Sequence, residues 1–174
     1  MTVWHYVGDE QVRMSVRVSS TRGGDHDMQS TDRGRALEIL MVDDNPADVG
    51  LTIEALDEEG VRHHVSVVED GREALAFLRR DGAFAKSPRP DLILLDLNMP
   101  RMKGHEFLEE MRSDPNLQEI PVVVFSHSDA PVDRARSDAL AALHVKKPLD
   151  LAEFMEVVAE IVDLPQIRWA KRPR

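Results

Sequence analysis

Short runs of unbroken apolar residues recur along this chain, and they restrict its possible folds more than any other feature. Ile39-Leu40-Met41-Val42, Leu92-Ile93-Leu94-Leu95 and Val122-Val123-Val124-Phe125 contain no polar residue. A strand that is apolar on both faces must be covered on both faces, as in a parallel sheet. Between these runs the apolar period changes to that of a helix. Pro46 suits a first helical turn, and Val49, Ile53 and Leu56 then recur up to Gly60. Ala74, Leu75 and Leu78 place a second helix after Asp70-Gly71, reaching Arg80, and Lys86–Pro90 reads as a loop. Phe107, Leu108 and Met111 share one face of a third helix after Gly104, and a fourth runs from about Val132 to Ala141. Asp150 with Glu153 resembles a capping box for a last helix to about Val162. The strands are expected at Leu37–Val42, Val65–Val68, Asp91–Asp96, Pro121–Phe125 and Leu143–Lys146. Strict strand–helix alternation predicts an α/β, doubly wound parallel sheet of five strands with five helices.

In such a sheet ligands gather at the carboxyl ends of the strands. The residues expected there are chemically unusual. Asp43 and Asp44 follow the first strand and Asp96 the third; Ser126 ends the fourth, and Lys147 follows the fifth. Crowded carboxylates repel one another unless a cation lies among them, and hard oxygen donors suit Mg²⁺. Asp96 is a candidate nucleophile, since a carboxylate can attack phosphorus to give an acyl phosphate. Lys147 offers a compact charge for phosphate, and Ser126 a hydroxyl. Each signal alone has an ordinary alternative. Asp96 can start a turn before Asn98 and Pro100, Asp43-Asp44 can cap the helix at Pro46, and Lys147 can be a surface lysine beside Lys146. A cis bond between Lys147 and Pro148 would aim the ammonium inward, although most X–Pro bonds are trans. Their joint placement on one sheet edge is what points to phosphate chemistry with Mg²⁺.

Charge narrows the partners. The net charge is −10, and residues 36–164 hold 27 acids against 13 bases. That body repels a phosphate backbone, so direct nucleic-acid binding is not expected. Residues 1–35 are polar and Gly-bearing and read as a disordered extension, with Val12, Met14, Val16 and Val18 offering a short strand as the alternative. Residues 165–174 form a basic tail with Arg168, Lys171, Arg172 and Arg174. Charged residues interrupt every stretch long enough to span a membrane, and Asp9, Glu10, Arg13 and Arg17 break up any secretory leader. The chain has no cysteine. A cytoplasmic protein with no membrane partner is expected.

The tracts Ile39–Pro46, Asp91–Pro100, Gly104, Val122–Ser126 and Lys147-Pro148 together resemble the receiver domain of two-component response regulators. The likeness covers about 36–164. Leu95–Pro100 and Pro148–Leu151 look closest to small regulators paired with phytochrome-type sensor kinases. The resemblance implies a flavodoxin-like sheet of order 2-1-3-4-5. It implies that Asp96 is the phosphoacceptor, fed by a histidine kinase or phosphotransfer protein. Asp43, Asp44, Asp96 and the backbone carbonyl of Asn98 would bind Mg²⁺, while Ser126 and Lys147 would hold the phosphoryl oxygens. Ser126 and the residue at position 144 would act as the switch. The family's usual aromatic is here His144, whose charge adds pH sensitivity.

The leading expectation is a single-domain response regulator that is not an enzyme beyond its own phosphorylation and dephosphorylation. Only about ten residues follow the last helix, so output is expected through protein contacts: a kinase, a downstream target or a homodimer. One alternative is a pseudo-receiver that binds partners without phosphorylation. Another is an aspartyl-phosphate phosphohydrolase, for which Asn98 stands where a second acid is usual.

Overall fold

The strands form where the apolar runs predict them. Residues 36–58, 63–127 and 130–147 are described by the structure, a computed structural model. The strands are β1 (Leu37–Val42), β2 (His63–Val68), β3 (Leu92–Leu95), β4 (Val122–Ser126) and β5 (Leu143–Lys146). The helices are α1 (Pro46–Glu58), α2 (Gly71–Arg79), α3 (Gly104–Ser113) and α4 (Pro131–Ala139), with a single 3-10 turn at Gly82–Phe84. All neighbouring strands run parallel, in the order β2-β1-β3-β4-β5. This is the order the resemblance implies. The expected extension over 1–35, the stop at Gly60, the Pro148 peptide, the fifth helix and the basic tail lie outside the described residues.

Side chains alternate across the strands and build two cores. Ile39, Met41, Leu92, Leu94, Val123 and Phe125 face α1, where Ala55 and Leu56 meet them. Leu40, Val42, Ile93, Leu95, Val122 and Val124 face α2 and α3, and pack with Leu75, Phe107, Leu108 and Met111. The central strands are therefore apolar on both sides because both sides are roofed, which explains their unbroken sequence.

Two boundaries differ by two residues from the sequence expectation. β2 begins two residues early, at His63, because His63 and His64 pair in register with Leu37 and Glu38. His64 Nδ1 lies 2.9 Å from Glu38 Oε1, so the polar strand start is compensated. α4 ends at Ala139 rather than Ala141, where a left-handed residue (φ 52°) turns the chain into β5.

The opposite edge of the sheet is held by one cation. The Arg112 guanidinium donates to the carbonyls of Leu140 (2.8 Å), Ile120 (2.9 Å), Gln118 and Ala141 (3.1 Å). It thereby joins the end of α3 to the loops entering β4 and β5. Replacing Arg112 with Ala is expected to lower unfolding free energy by about 2–4 kcal/mol, since several carbonyls lose a charged donor. Arg112→Lys should recover less than half of that in chemical denaturation, because an ammonium lacks the planar fork.

Candidate functional site

Each polar residue at the carboxyl edge is fixed by the strand beside it. Asp43 N–H donates to the Val68 carbonyl (3.0 Å), extending the β1–β2 ladder by one residue. Asp96 N–H donates to Val42 O (2.9 Å), and Lys147 N–H to Ser126 O (2.8 Å). The side chains emerge where ladder geometry ends and cannot drift with the loops. Asp43 and Asp96 then fold their carboxylates over the following backbone. Asn45 N–H donates to Asp43 Oδ1 (2.8 Å), and Asn98 N–H to Asp96 Oδ2 (3.0 Å).

The site is a buried ammonium ringed by acids. Lys147 Nζ lies 2.7 Å from Asp43 Oδ2, 2.8 Å from Asp48 Oδ2 and 3.2 Å from Asp96 Oδ1. Asp43, Asp96, Ser126 and Lys147 are all buried, whereas Asp44 is exposed at the rim. Burial disfavours both charges. It pushes the Asp43 carboxyl above the usual aspartate range, against the opposing pull of Lys147 and the Asn45 N–H. Burial also works against the Lys147 ammonium, but hydrogen bonds to Asp43 and Asp48 and the charges of Asp43 and Asp96 outweigh it and raise its pKa. The lysine is thus firmly charged, while Asp43 holds its charge at a cost.

The donor set fits a divalent cation. One carboxylate oxygen from each of Asp43, Asp44 and Asp96 lies within 4.8 Å of the others, and Lys147 already compensates two of these acids with a protein charge. Asn98 is exposed in the next loop, with its backbone beside Asp96. The sequence-predicted Asp43, Asp44, Asp96, Ser126, Asn98 and Lys147 therefore share one edge.

Two glycines allow the loop after β3 to lie close. A Cβ on Gly104 would come 2.4 Å from the Asp96 carbonyl and 2.8 Å from Leu97 Cα. A Cβ on Gly71 would come within 2.8 Å of Met102 and Phe107. Between them Arg101 adopts a left-handed backbone (φ 60°) and its Nε donates to the buried Asp70. Asp70 also caps α2 through Arg72 N (2.7 Å) and Glu73 N (2.9 Å), so one carboxylate pins the loop to the helix.

His144, expected as the switch ring, is buried on β5 opposite Val124. Its Nδ1 lies 3.2 Å from Ser137 Oγ on α4, and His105 Nε2 of α3 lies 3.5 Å from the same oxygen. Ser137 Oγ also donates to Asp133 O (2.9 Å), so one hydroxyl of α4 meets both rings. Burial, aided by the nearby Arg136 charge, lowers the His105 pKa. His127 is exposed beside the site, with Nε2 3.6 Å from Asp48 Oδ2.

Sequence reasoning missed Asp48, Arg101 and Ser137. Asp48 stands in the first turn of α1, where an acid is expected for the helix dipole alone. Ser137 falls on the charged α4 segment and carries no motif. Arg101 and Asp70 are thirty-one residues apart in sequence, and no spacing rule joins them.

Among the described residues no helix is long and apolar enough to cross a membrane. The family model for the response regulator receiver domain matches residues 39–159. The response regulator Rcp1 of Synechocystis sp. is 46% identical over 90 residues, a stretch covering 52% of this chain and 61%, less than two thirds, of that protein. A probable methanogenesis regulatory protein, FilR2, of Methanothrix harundinacea is 34% identical over 138 residues, covering 78% of this chain and 86% of that one. Among solved structures, the phosphorylated cyanobacterial phytochrome response regulator RcpA superposes with a TM-score of 0.70 at 43% identity, covering 74% of this chain and 93% of that one. The Mn²⁺-bound form of Rcp1 gives 0.69 at 35% identity, over 79% and 97% of the two chains. With the acidic cluster, that relative supports a divalent-metal site here. Strand order, edge chemistry and these likenesses agree, and the chain belongs to the response regulator receiver domain family.

Proposed function

We propose that this chain is a phosphorylation-controlled signalling domain in which Asp96 accepts a phosphoryl group. The observation that carries this is the grip of Lys147 on Asp43 and Asp96, three buried charges at one sheet edge. Asp96 attacks phosphorus, the bond to the donor's imidazole nitrogen breaks, and an acyl phosphate forms. Asp43, Asp44, Asp96 and the carbonyl of Asn98 would hold Mg²⁺. When bound, Mg²⁺ neutralises charge on the transferring group and orients it. Lys147 pairs with one phosphoryl oxygen and the Ser126 hydroxyl donates to another. The role of the chain is to position groups and to hold the product.

His144 and Ser126 are the proposed switch. Ser126 lies on β4 two residues beyond Val124, the register partner of His144, so the two share one sheet face; His144 meets Ser137 of α4, and a change at Ser126 would reach α4 through it. The partners are a sensor histidine kinase or phosphotransfer protein, a downstream target and, as a further candidate, a second copy of the chain. The RcpA likeness favours a phytochrome-type sensor. We take the cytoplasm, where such a kinase would draw on ATP, as its place of action. We assign the receiver unit to 36–164 and treat 1–35 and 165–174 as appendages. The signal is conveyed by contacts rather than by turnover of a substrate or by nucleic-acid binding, given the acidic body.

Acetyl phosphate with Mg²⁺ is expected to label wild type and leave Asp96→Asn unlabelled; equal labelling of the two would end this reading. A pH series gives a second check. Because burial raises the Asp43 pKa, protons compete with the cation at a higher pH than for an ordinary aspartate. Mg²⁺ affinity from calorimetry should fall as pH drops through that raised value, approaching about tenfold per unit. Lys147 stays charged throughout, and Asp43→Asn should flatten that part of the curve.

A further inference from the structure

Lys147 has three N–H donors and meets three carboxylates, but those carboxylates are not equivalent. Asp43 and Asp96 belong to the group of acids whose oxygens converge within 4.8 Å, and Asp48 does not. Asp48 stands apart on α1. Its backbone carbonyl accepts from Thr52 Oγ1 (2.9 Å), and its Oδ2 accepts from Asn45 Nδ2 (3.0 Å) as well as Lys147 Nζ (2.8 Å). It is mostly buried, so it meets the ammonium with little intervening water.

A cation held by Asp43 and Asp96 would draw on their charge and repel the neighbouring ammonium. Lys147 is 3% exposed and cannot turn to solvent for compensation. Left with no carboxylate of its own, it would be a buried unpaired charge, costing several kcal/mol in general. Asp48 is the acid that stays available.

We propose that Asp48 is a positioning residue, the permanent anchor of Lys147, which keeps the ammonium compensated and in place while Asp43 and Asp96 turn to the divalent cation. This rests on the metal and phosphoryl reading above. It makes metal entry an exchange of partners rather than a clash of charges. Asp48 touches neither the cation nor the phosphoryl group and acts through the lysine alone.

The test is a double-mutant cycle read as Mg²⁺ affinity by calorimetry, with Mg²⁺ alone and no phosphodonor. Asp48→Asn is expected to weaken Mg²⁺ binding roughly tenfold when Lys147 is present, and less than about twofold in a Lys147→Met background, the signature of contacting residues. Equal losses in both backgrounds would reduce Asp48 to a diffuse negative charge and overturn the proposal. Unchanged or tighter binding in Asp48→Asn alone would overturn it too. Thermal melts confirm folding of each variant; if Asp48→Asn does not fold, Asp48→Glu enters the same cycle under the same criteria. The cycle uses no phosphodonor and is independent of the acetyl phosphate experiment, so labelling of Asp96 there with no Asp48–Lys147 coupling here refutes this inference only. Coupling with no labelling refutes the phosphoacceptor reading only.

Discussion

A buried ammonium that must always have a carboxylate partner organises the carboxyl edge of this sheet. Lys147 is withdrawn from water, and the three acids around it are withdrawn or partly so. Neither charge is cheap there, yet removing one partner would leave the other stranded. The arrangement carries more acid than the lysine can neutralise. A site with surplus buried negative charge is primed for a second cation. Burial raises the pKa of Asp43, and the surrounding acids raise that of Lys147 against its own burial. Burial dominates the acid, whose single ammonium is shared, while several acids act on the base.

The backbone makes such crowding possible. Carboxylates on loops would move apart under their own repulsion. Here Asp43, Asp96 and Lys147 are each tied by a main-chain hydrogen bond to the adjacent strand, and the strands are held by cores on both faces. The apolar runs that determine the fold therefore also constrain the charges. Gly104 extends the same control to the loop after β3, because only a residue without Cβ lets α3 start against the Asp96 carbonyl.

The legible parts of this structure are those governed by period and position along the chain. Unbroken apolar runs identify the central strands, the polar residues after them identify Asp43, Asp96 and Ser126, and Lys147 is marked by its place after the fifth strand. Asp44 was found as the neighbour of Asp43. The unread parts are pairings between distant segments. Asp48 looks like any acid in a first helical turn until Lys147, ninety-nine residues later, is folded against it. Arg101 reads as a solvated base in a loop, and its link to Asp70 becomes visible only when α2 and the β3–α3 loop are packed. Local patterns carry strand ends; they do not carry which side chain a cation will choose in three dimensions.

The same division bears on how the site is coupled to the rest of the domain. α1, α2 and α3 each bury several residues, whereas α4 buries only Ser137. Its hold on the sheet is therefore polar and narrow, centred on one hydroxyl between His105 and His144. Apolar burial resists displacement in proportion to area, and α4 has little. Of the described helices it is the one whose shift costs least. β5 carries both His144 and the strand end that precedes Lys147, in register with Val124 and Ser126 of β4. β5 thus joins the charged edge to α4, the least buried of the described helices, which rests against it.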